Sequence, residues 1–491
     1  MNVLYSLRRA KQFYGSRPAS GGYTWSEFYE RVYRQAAFLH GLGIDKGDRV
    51  AAWMLNSHEY LELYFATAIA GIVIVPINTR WSAGDVDFTL TDSGAKALVV
   101  DDHFASKIGT LKNAPRVLSR CDYSDAPVSF DEPDEDDLVG LFYTSGTTGG
   151  PKGVMLTHRN VWSNALNVML TTGITQGAWL HAAPMFHLAD QWSIYMNAGL
   201  GSANYYLPAF DPEGFLRSVA ANRITDTVIV PTMINMIVNQ PAFEKYDLTT
   251  LSRIFYGASP MPEPLIKLAM RKFPQVQFIQ CFGMTETSPV LTLLAHADHR
   301  GARLAAAGKP VLGVEVRVVD FNDNDVPVGE CGEVIARGPN VMKGYWNRPE
   351  ISKEALRGGW MHTGDLGRLD EDGFLYVLDR KKDMIKPGAE NVYSPEVESM
   401  ILGHPAVLEA AVIGVPCEKW GEAIRAVVVC RAEQTLEEAE LIAWCRERMT
   451  HFKCPTSVVV AEALPKGGTG KIQKNILRER YGNPRPYGTG L

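Results

Sequence analysis

The sequence is poor in the features that mark an extracellular, metal-built or membrane protein. It has no CxxC pair, and its seven cysteines (121, 281, 331, 417, 430, 445 and 454) are an odd number scattered over 491 residues. That spacing offers neither a disulfide framework nor a zinc site, and it fits reduced thiols in a cytoplasmic protein. His296 and His299 are the only closely spaced histidines. With no nearby cysteine and no HExxH context they read as a polar surface turn. The opening "MNVLYSLRRAKQFYGSRP" has basic residues but no apolar stretch behind them, so it does not read as a signal peptide. Long apolar runs are missing too: the longest, at 64–77, is interrupted by Gly71 and is too short to span a bilayer, which makes it buried core. A net charge of -6 over this length leaves no field strong enough for nucleic acid or an anionic membrane.

What is present is an ordinary globular composition, with 46% hydrophobic and 21% charged residues, on a chain too long for one core. Two or more domains are therefore expected. Thr24 and Glu27 form a capping box before Phe28, Val32, Ala36 and Leu39 at helical spacing, and Gly41 or Gly43 closes that helix. "RVAAWML", a helix over 57–70 and "IVIVPI" then give a β-α-β order, hence an α/β fold with a parallel sheet covered on both faces. "DEPDEDD" is an exposed connection. Strands recur at "LVGLFYTSG", "DTVIVP", "RIFYGAS" and "VQFIQCFG". From about Val311 short strands and turns announce a smaller β-rich subdomain.

One segment calls for a ligand. "YTSGTTGGPKGVMLTH" places Thr144, Ser145, Gly146, Thr147, Thr148 and Gly149 just after a strand, with Lys152 following. Glycines let backbone donors converge on a phosphate, hydroxyls add donors, and a lysine offsets its charge. A Walker-type loop is excluded, because Pro151 stands where its glycine should be and Gly153 where its Ser or Thr should be.

Four further segments follow in order: "CFGMTET", "WMHTGDLG", "DRKKDMIKPGAENVYSPEVE" and "LPKGGTGKIQK". With these five the chain resembles the adenylate-forming superfamily of acyl-CoA and aryl-CoA synthetases, firefly luciferases and peptide-synthetase adenylation domains. The resemblance covers nearly the whole chain. It implies a large N-terminal domain, residues 1–381, of two α/β subdomains plus a β-rich subdomain, and a small mobile α+β domain, residues 382–491, with Lys382 as hinge. It implies ATP and Mg²⁺, an acyl-AMP intermediate and transfer to coenzyme A. In that scheme residues 144–149 and Lys152 hold the β and γ phosphates. Phe282 stacks on adenine beside Gln280, Cys281 and Gly283; Gly257, Ala258 and Ser259 line the adenine and acyl pocket. Thr285 reaches the α phosphate and Glu286 holds the metal. Asp365 takes the ribose hydroxyls with Arg380 beside it. Lys386 contacts the adenylate, and Lys471 is the catalytic cation.

The same resemblance puts His187 of "APMFHLAD" at the acyl site, together with Trp192 and Ser259. It assigns Trp420, Phe452, Arg223, Gly388 and Ala389 to coenzyme A, although "PGAEN" here replaces the commoner "SGGEN" and Ala389 adds a methyl where pantetheine must approach. The implied reaction is ligation of a carboxylic acid to CoA, with a medium- or long-chain fatty acid favoured and an aryl or alicyclic acid as runner-up. A stand-alone adenylation module loading a carrier protein is the rival of another class. No nucleic-acid partner and no transmembrane segment are expected, and a homodimer is the one assembly entertained.

Overall fold

A computed structural model describes residues 2–119, 122–144, 151–388, 390–467 and 472–483. Two large sheets form the body. The seven-stranded sheet runs Gly344–Tyr345, Lys152–Thr157, Leu138–Thr144, Val73–Pro76, Arg49–Trp53, Ala97–Val100, Arg116–Leu118. Its middle strands are parallel, as the β-α-β order requires. The helix Trp25–Gly41 carries the expected capping box at Thr24 and Glu27, and His58–Ile69 is capped by Ser57.

The nine-stranded sheet is parallel through Ala178–His181, Asp226–Ile229, Arg253–Gly257 and Gln277–Gly283. One hydrophobic cluster joins the two sheets: Val50, Ala52 and Ile74 from one meet Trp179, Val228 and Phe255 from the other, with the helices His158–Thr172 and Leu188–Leu200 between them. Strands buried on both faces have no room for polar alternation, which is why they read as continuous apolar runs.

The β-rich signal after Val311 is an antiparallel four-stranded sheet, Glu315–Val319, Gly332–Arg337, Met361–Leu369 and Leu375–Arg380. A separate three-stranded sheet, Val407–Cys417, Gly421–Cys430 and Ser457–Val460, carries the helices Ser394–Leu402, Glu438–Arg446 and Lys474–Tyr481 and its own apolar cores. No described helix is long and apolar enough to cross a membrane.

The histidine pair corrects the surface-turn reading. His299 is buried, its Nε2 2.7 Å from the Tyr256 hydroxyl and its Nδ1 2.9 Å from the Ala295 carbonyl, while His296 Nδ1 accepts the Phe278 N–H. Burial lowers the His299 pKa, so the ring stays neutral and serves as a hydrogen-bonded strap across strand ends.

Candidate active site

A narrow cavity opens at the carboxyl ends of Asp226–Ile229, Arg253–Gly257 and Gln277–Gly283, the usual ligand position in an open parallel sheet. Two glycines create its wall. A Cβ on Gly257 would stand 2.0 Å from the Cys281 carbonyl oxygen, and one on Gly283, at φ 156°, 1.8 Å from that of Pro289. Any side chain at either place would push the strands apart. Ala258 pays for the same tight path with a left-handed φ of 65°.

The cavity is lined almost wholly by apolar atoms. Ala183, Ala189, Val228, Ile229, Val230, Ala258, Met284, Pro289 and Val290 contribute, and Trp192 stands at its wall. Trp192 is 1% exposed, packed edge-on against Trp179 and Phe255, and its indole N–H donates to the Ala189 carbonyl at 2.9 Å. That bond and those rings fix its rotamer. His187 caps the helix Leu188–Leu200, and its Nδ1 accepts the Ala189 N–H at 3.0 Å. An accepting Nδ1 leaves the proton of the neutral ring on Nε2, so His187 presents an N–H donor. Asp190 and Gln191 do not line the cavity; Asp190 is fully buried, 2.6 Å from His181 Nδ1.

A polar rim is assembled from distant parts of the chain. Thr285 and Glu286 lie in a single 3-10 turn after the cavity strand. Glu286 is only 6% exposed, and its carboxylate accepts the Tyr345 hydroxyl at 2.8 Å. Burial raises its pKa against the pull of its own backbone, Tyr345 and the Arg380 charge. Tyr345 reaches this place because Gly344–Tyr345 pairs with Lys152–Thr157. The same pairing brings Lys152 near, its Nζ 5.7 Å from the Tyr345 ring centre.

Thr144 and Lys152 are cross-strand partners in an antiparallel pair, so the element that starts at Lys152 is a strand and not a helix. This agrees with the exclusion of a Walker-type loop. Ser145, Gly146, Thr147, Thr148 and Gly149 lie outside the described residues, as do Ala389 and Lys471. Asp365 and Arg380 are cross-strand partners joined by an ion pair of 2.9 Å, and both charges act on Glu286.

The remaining expected residues are spread more widely. Phe282, Cys281 and Gly283 line the cavity, whereas Ser259 and Gln280 do not; Gln280 accepts instead from the Tyr256 hydroxyl. Burial pushes the Cys281 thiol well above the usual range, so it stays protonated. Arg223 caps the helix Pro212–Asn222 just ahead of the amino end of Asp226–Ile229, the opposite end of the sheet from the cavity. Lys382 lies in a turn after Leu375–Arg380, where burial lowers its pKa, and Lys386 is exposed. Trp420 is 51% exposed with its ring over Gly388, and Phe452 is 39% exposed. Tyr345 is the rim residue that sequence reading missed: its one signal, a tyrosine behind a glycine in "MKGYWNRPE", has meaning only once strand pairing brings it to Glu286.

The sequence profile described as "AMP-binding enzyme" matches residues 8–346, and that of the "AMP-binding enzyme C-terminal domain" matches residues 396–471. The chain is 40% identical to a feruloyl-CoA synthase of Amycolatopsis sp over 94% of each sequence. It is 36% identical to the long-chain-fatty-acid–CoA ligase FadD13 of Mycobacterium tuberculosis over 93% of each. Among solved structures it is similar to the o-succinylbenzoate CoA synthetase MenE of Bacillus subtilis in complex with the acyl-adenylate intermediate OSB-AMP. The TM-score there is 0.87 at 31% identity, over 96% of this chain and 97% of that one. Another structure of the same synthetase, with ATP and a magnesium ion, gives a TM-score of 0.86 at 31% identity over 96% and 99%.

Proposed function

The chain belongs to the AMP-binding enzyme family, and from that premise we propose how its residues divide the work of a carboxylic acid–CoA ligase that acts through an acyl-AMP intermediate. The observation that carries the assignment of residues is the meeting of an apolar, glycine-walled cavity with the rim of Thr285, Glu286, Tyr345, Lys152, Asp365 and Arg380. The acid's body occupies the cavity and its carboxylate faces the rim. A carboxylate oxygen attacks the α phosphorus of ATP, the bond to the bridging oxygen breaks, and pyrophosphate leaves. The pantetheine sulfur then attacks the acyl carbonyl and AMP leaves.

Charge accumulates in the first half, so fixed donors and cations matter most there. Thr144, the hydroxyls and backbone of residues 145–149, and Lys152 hold the β and γ phosphates. Thr285 contacts the α phosphate, and Lys471 bridges it to the attacking carboxylate. His187 Nε2–H steadies the carboxylate oxygen. Phe282 packs on adenine, and Asp365, held by Arg380, accepts the ribose hydroxyls. Lys386 lies with the adenylate. Glu286 fits a divalent metal: it is a buried carboxylate oriented by Tyr345, and the described residues hold no group of three or more His, Cys, Asp or Glu that would cage an ion by themselves. One carboxylate plus phosphate oxygens suits Mg²⁺, which would neutralise phosphate charge when bound. For the second half, Lys382 is the pivot between residues 1–381 and 382–491. Gly388 and Ala389 border the pantetheine path, and Trp420 with Phe452 offers aromatic faces for the adenine of CoA.

A cavity lined almost wholly by apolar atoms, with His187 and Thr285 as its polar members, selects an acid with an apolar body. Within the medium- and long-chain fatty acids, its wall at Trp192 favours the medium-chain ones, and the second reading is an aryl or alicyclic acid, which fills a compact volume. The test is incubation with ATP, Mg²⁺ and a panel of fatty, aryl and alicyclic acids, with and without CoA, following AMP, pyrophosphate and thioester by mass spectrometry. CoA-dependent thioester from one class identifies the acid. Acyl-AMP that persists in the presence of CoA would overturn CoA as acceptor and point to a carrier protein.

A further inference from the structure

A buried asparagine ties the two large sheets together beside the cavity. Asn56 comes just after the strand Arg49–Trp53 of the seven-stranded sheet, whereas the segment it meets, residues 181–185, runs on from the strand Ala178–His181 of the nine-stranded one. Asn56 stands on a fixed platform: Ser57 caps the helix His58–Ile69, and the Leu55 N–H donates to Asp101 Oδ2 at 2.6 Å. From there its buried side chain serves three backbone groups at alternate residues. Nδ2 donates to the carbonyls of His181 at 3.1 Å and Ala183 at 2.8 Å, and Oδ1 accepts the Met185 N–H at 2.8 Å. Only a carboxamide joins two such donors and an acceptor on one small planar head.

A chain that leaves its sheet loses its ladder partners, so buried backbone groups there need another source of hydrogen bonds. Asn56 supplies three, and the Tyr64 hydroxyl a fourth, donating to the Met185 carbonyl at 2.8 Å. The base of the segment is closed separately, by His181 Nδ1 and Asp190 Oδ2 at 2.6 Å, both side chains fully buried. Held in this way, the segment puts Ala183 on the cavity wall and then turns into His187, whose N–H donates to the Pro184 carbonyl at 3.1 Å. Asn56 does not itself line the cavity. We propose that Asn56 is a positioning residue that fixes this wall and the place of His187, and so governs which acids fit. The proposal rests on the reading of this cavity as the acid site.

The test measures pyrophosphate release by Asn56→Ala, Asn56→Asp and Tyr64→Phe, varying acid and ATP separately, and follows hydrogen exchange in peptides covering 182–190. Asn56→Ala strips partners from two carbonyls and an N–H, so KM for the acid should rise about tenfold while KM for ATP stays within about twofold. Exchange over 182–190 should quicken, and kcat/KM for the preferred acid and for a bulkier one should draw together. Asn56→Asp keeps the shape and one acceptor but turns an oxygen toward two carbonyls, so it should do no better than alanine. Tyr64→Phe keeps its buried ring and loses one bond to the same segment; it should raise KM for the acid about threefold, and it decides the matter if the Asn56 variants do not fold. A lower kcat with both KM values unchanged, the mark of a smaller folded fraction, would overturn the proposal, as would unchanged exchange over 182–190. His187→Ala in parallel keeps two ideas apart. If it raises KM for the acid and the Asn56 and Tyr64 variants do not, the positioning role is lost and the acid site stands; if none of them changes that KM, the acid binds elsewhere and both fall.

Discussion

Glu286 in the large domain and Glu398 in the small one are both largely buried carboxylates whose pKa burial raises, yet they are completed in different ways. Glu398 has its cation in the chain: Lys474 Nζ is 2.7 Å away, and the Val412 N–H donates to the same carboxylate at 2.8 Å. Glu286 has a hydroxyl, from Tyr345, and among the described residues it forms no ion pair. A buried charge satisfied from within is scaffold, because its partner arrives when the chain folds. A buried charge left short of a cation is poised for one brought by a ligand.

The sharpest way to break this contrast is at Glu398. Glu398→Gln leaves the Lys474 ammonium without its counter-ion and should cost about 3 kcal/mol of stability, read in a urea titration, with the per-molecule rate of the folded fraction little changed. Glu286→Gln should do the opposite. It removes a desolvated charge while keeping an acceptor for Tyr345, so the melting temperature should hold or rise, while pyrophosphate release falls about 100-fold, or about 2.7 kcal/mol of barrier. If Glu286→Gln unfolds the protein and Glu398→Gln abolishes turnover, the division between machinery and scaffold is reversed.

His158 sharpens the comparison with a third case, a buried titratable ring whose two nitrogens have no hydrogen-bond partner among the described residues. Burial lowers its pKa to about 4. The unfolded ring binds a proton near pH 6.5, so between these values the unfolded state takes up more protons and stability rises with pH. The contribution is complete above about pH 6.5 and is lost as the pH falls toward about 4, with about 2 kcal/mol gone by about pH 5. His158→Phe should remove that slope from a series of denaturant titrations; an unchanged slope would mean that the ring is already protonated in the native state. The smallest effect is expected at Tyr345→Phe, which deletes one hydrogen bond to Glu286. Acyl-AMP formation should slow about fivefold, or about 1 kcal/mol, with a higher Mg²⁺ requirement in the same assay. A loss in thioester formation instead would move Tyr345 out of the first half-reaction.

Much of this was readable from the chain. The capping box at Thr24 and the apolar run at 64–77 are local, and pattern alone carries them; Asp365 beside Arg380 followed from the family resemblance and is a cross-strand pair. His299 was misread because a histidine near a turn looks polar until Tyr256 is found beneath it. Tyr345 was invisible for the same reason: it gains its meaning from a partner far along the chain, Glu286. The list of acid-pocket residues was altered by tertiary structure too, since the backbone path through Gly257 and Ala258 lines the cavity with Ala258 and not with Ser259.

By itself the sequence determined the periodicities that make helices and strands, the glycines where backbones must touch, and the ordered motifs that belong to adenylate chemistry. Only the tertiary structure decided which of those groups share a site. Proximity between residues hundreds of positions apart comes from sheet order and strand register, and no local rule of the chain encodes either.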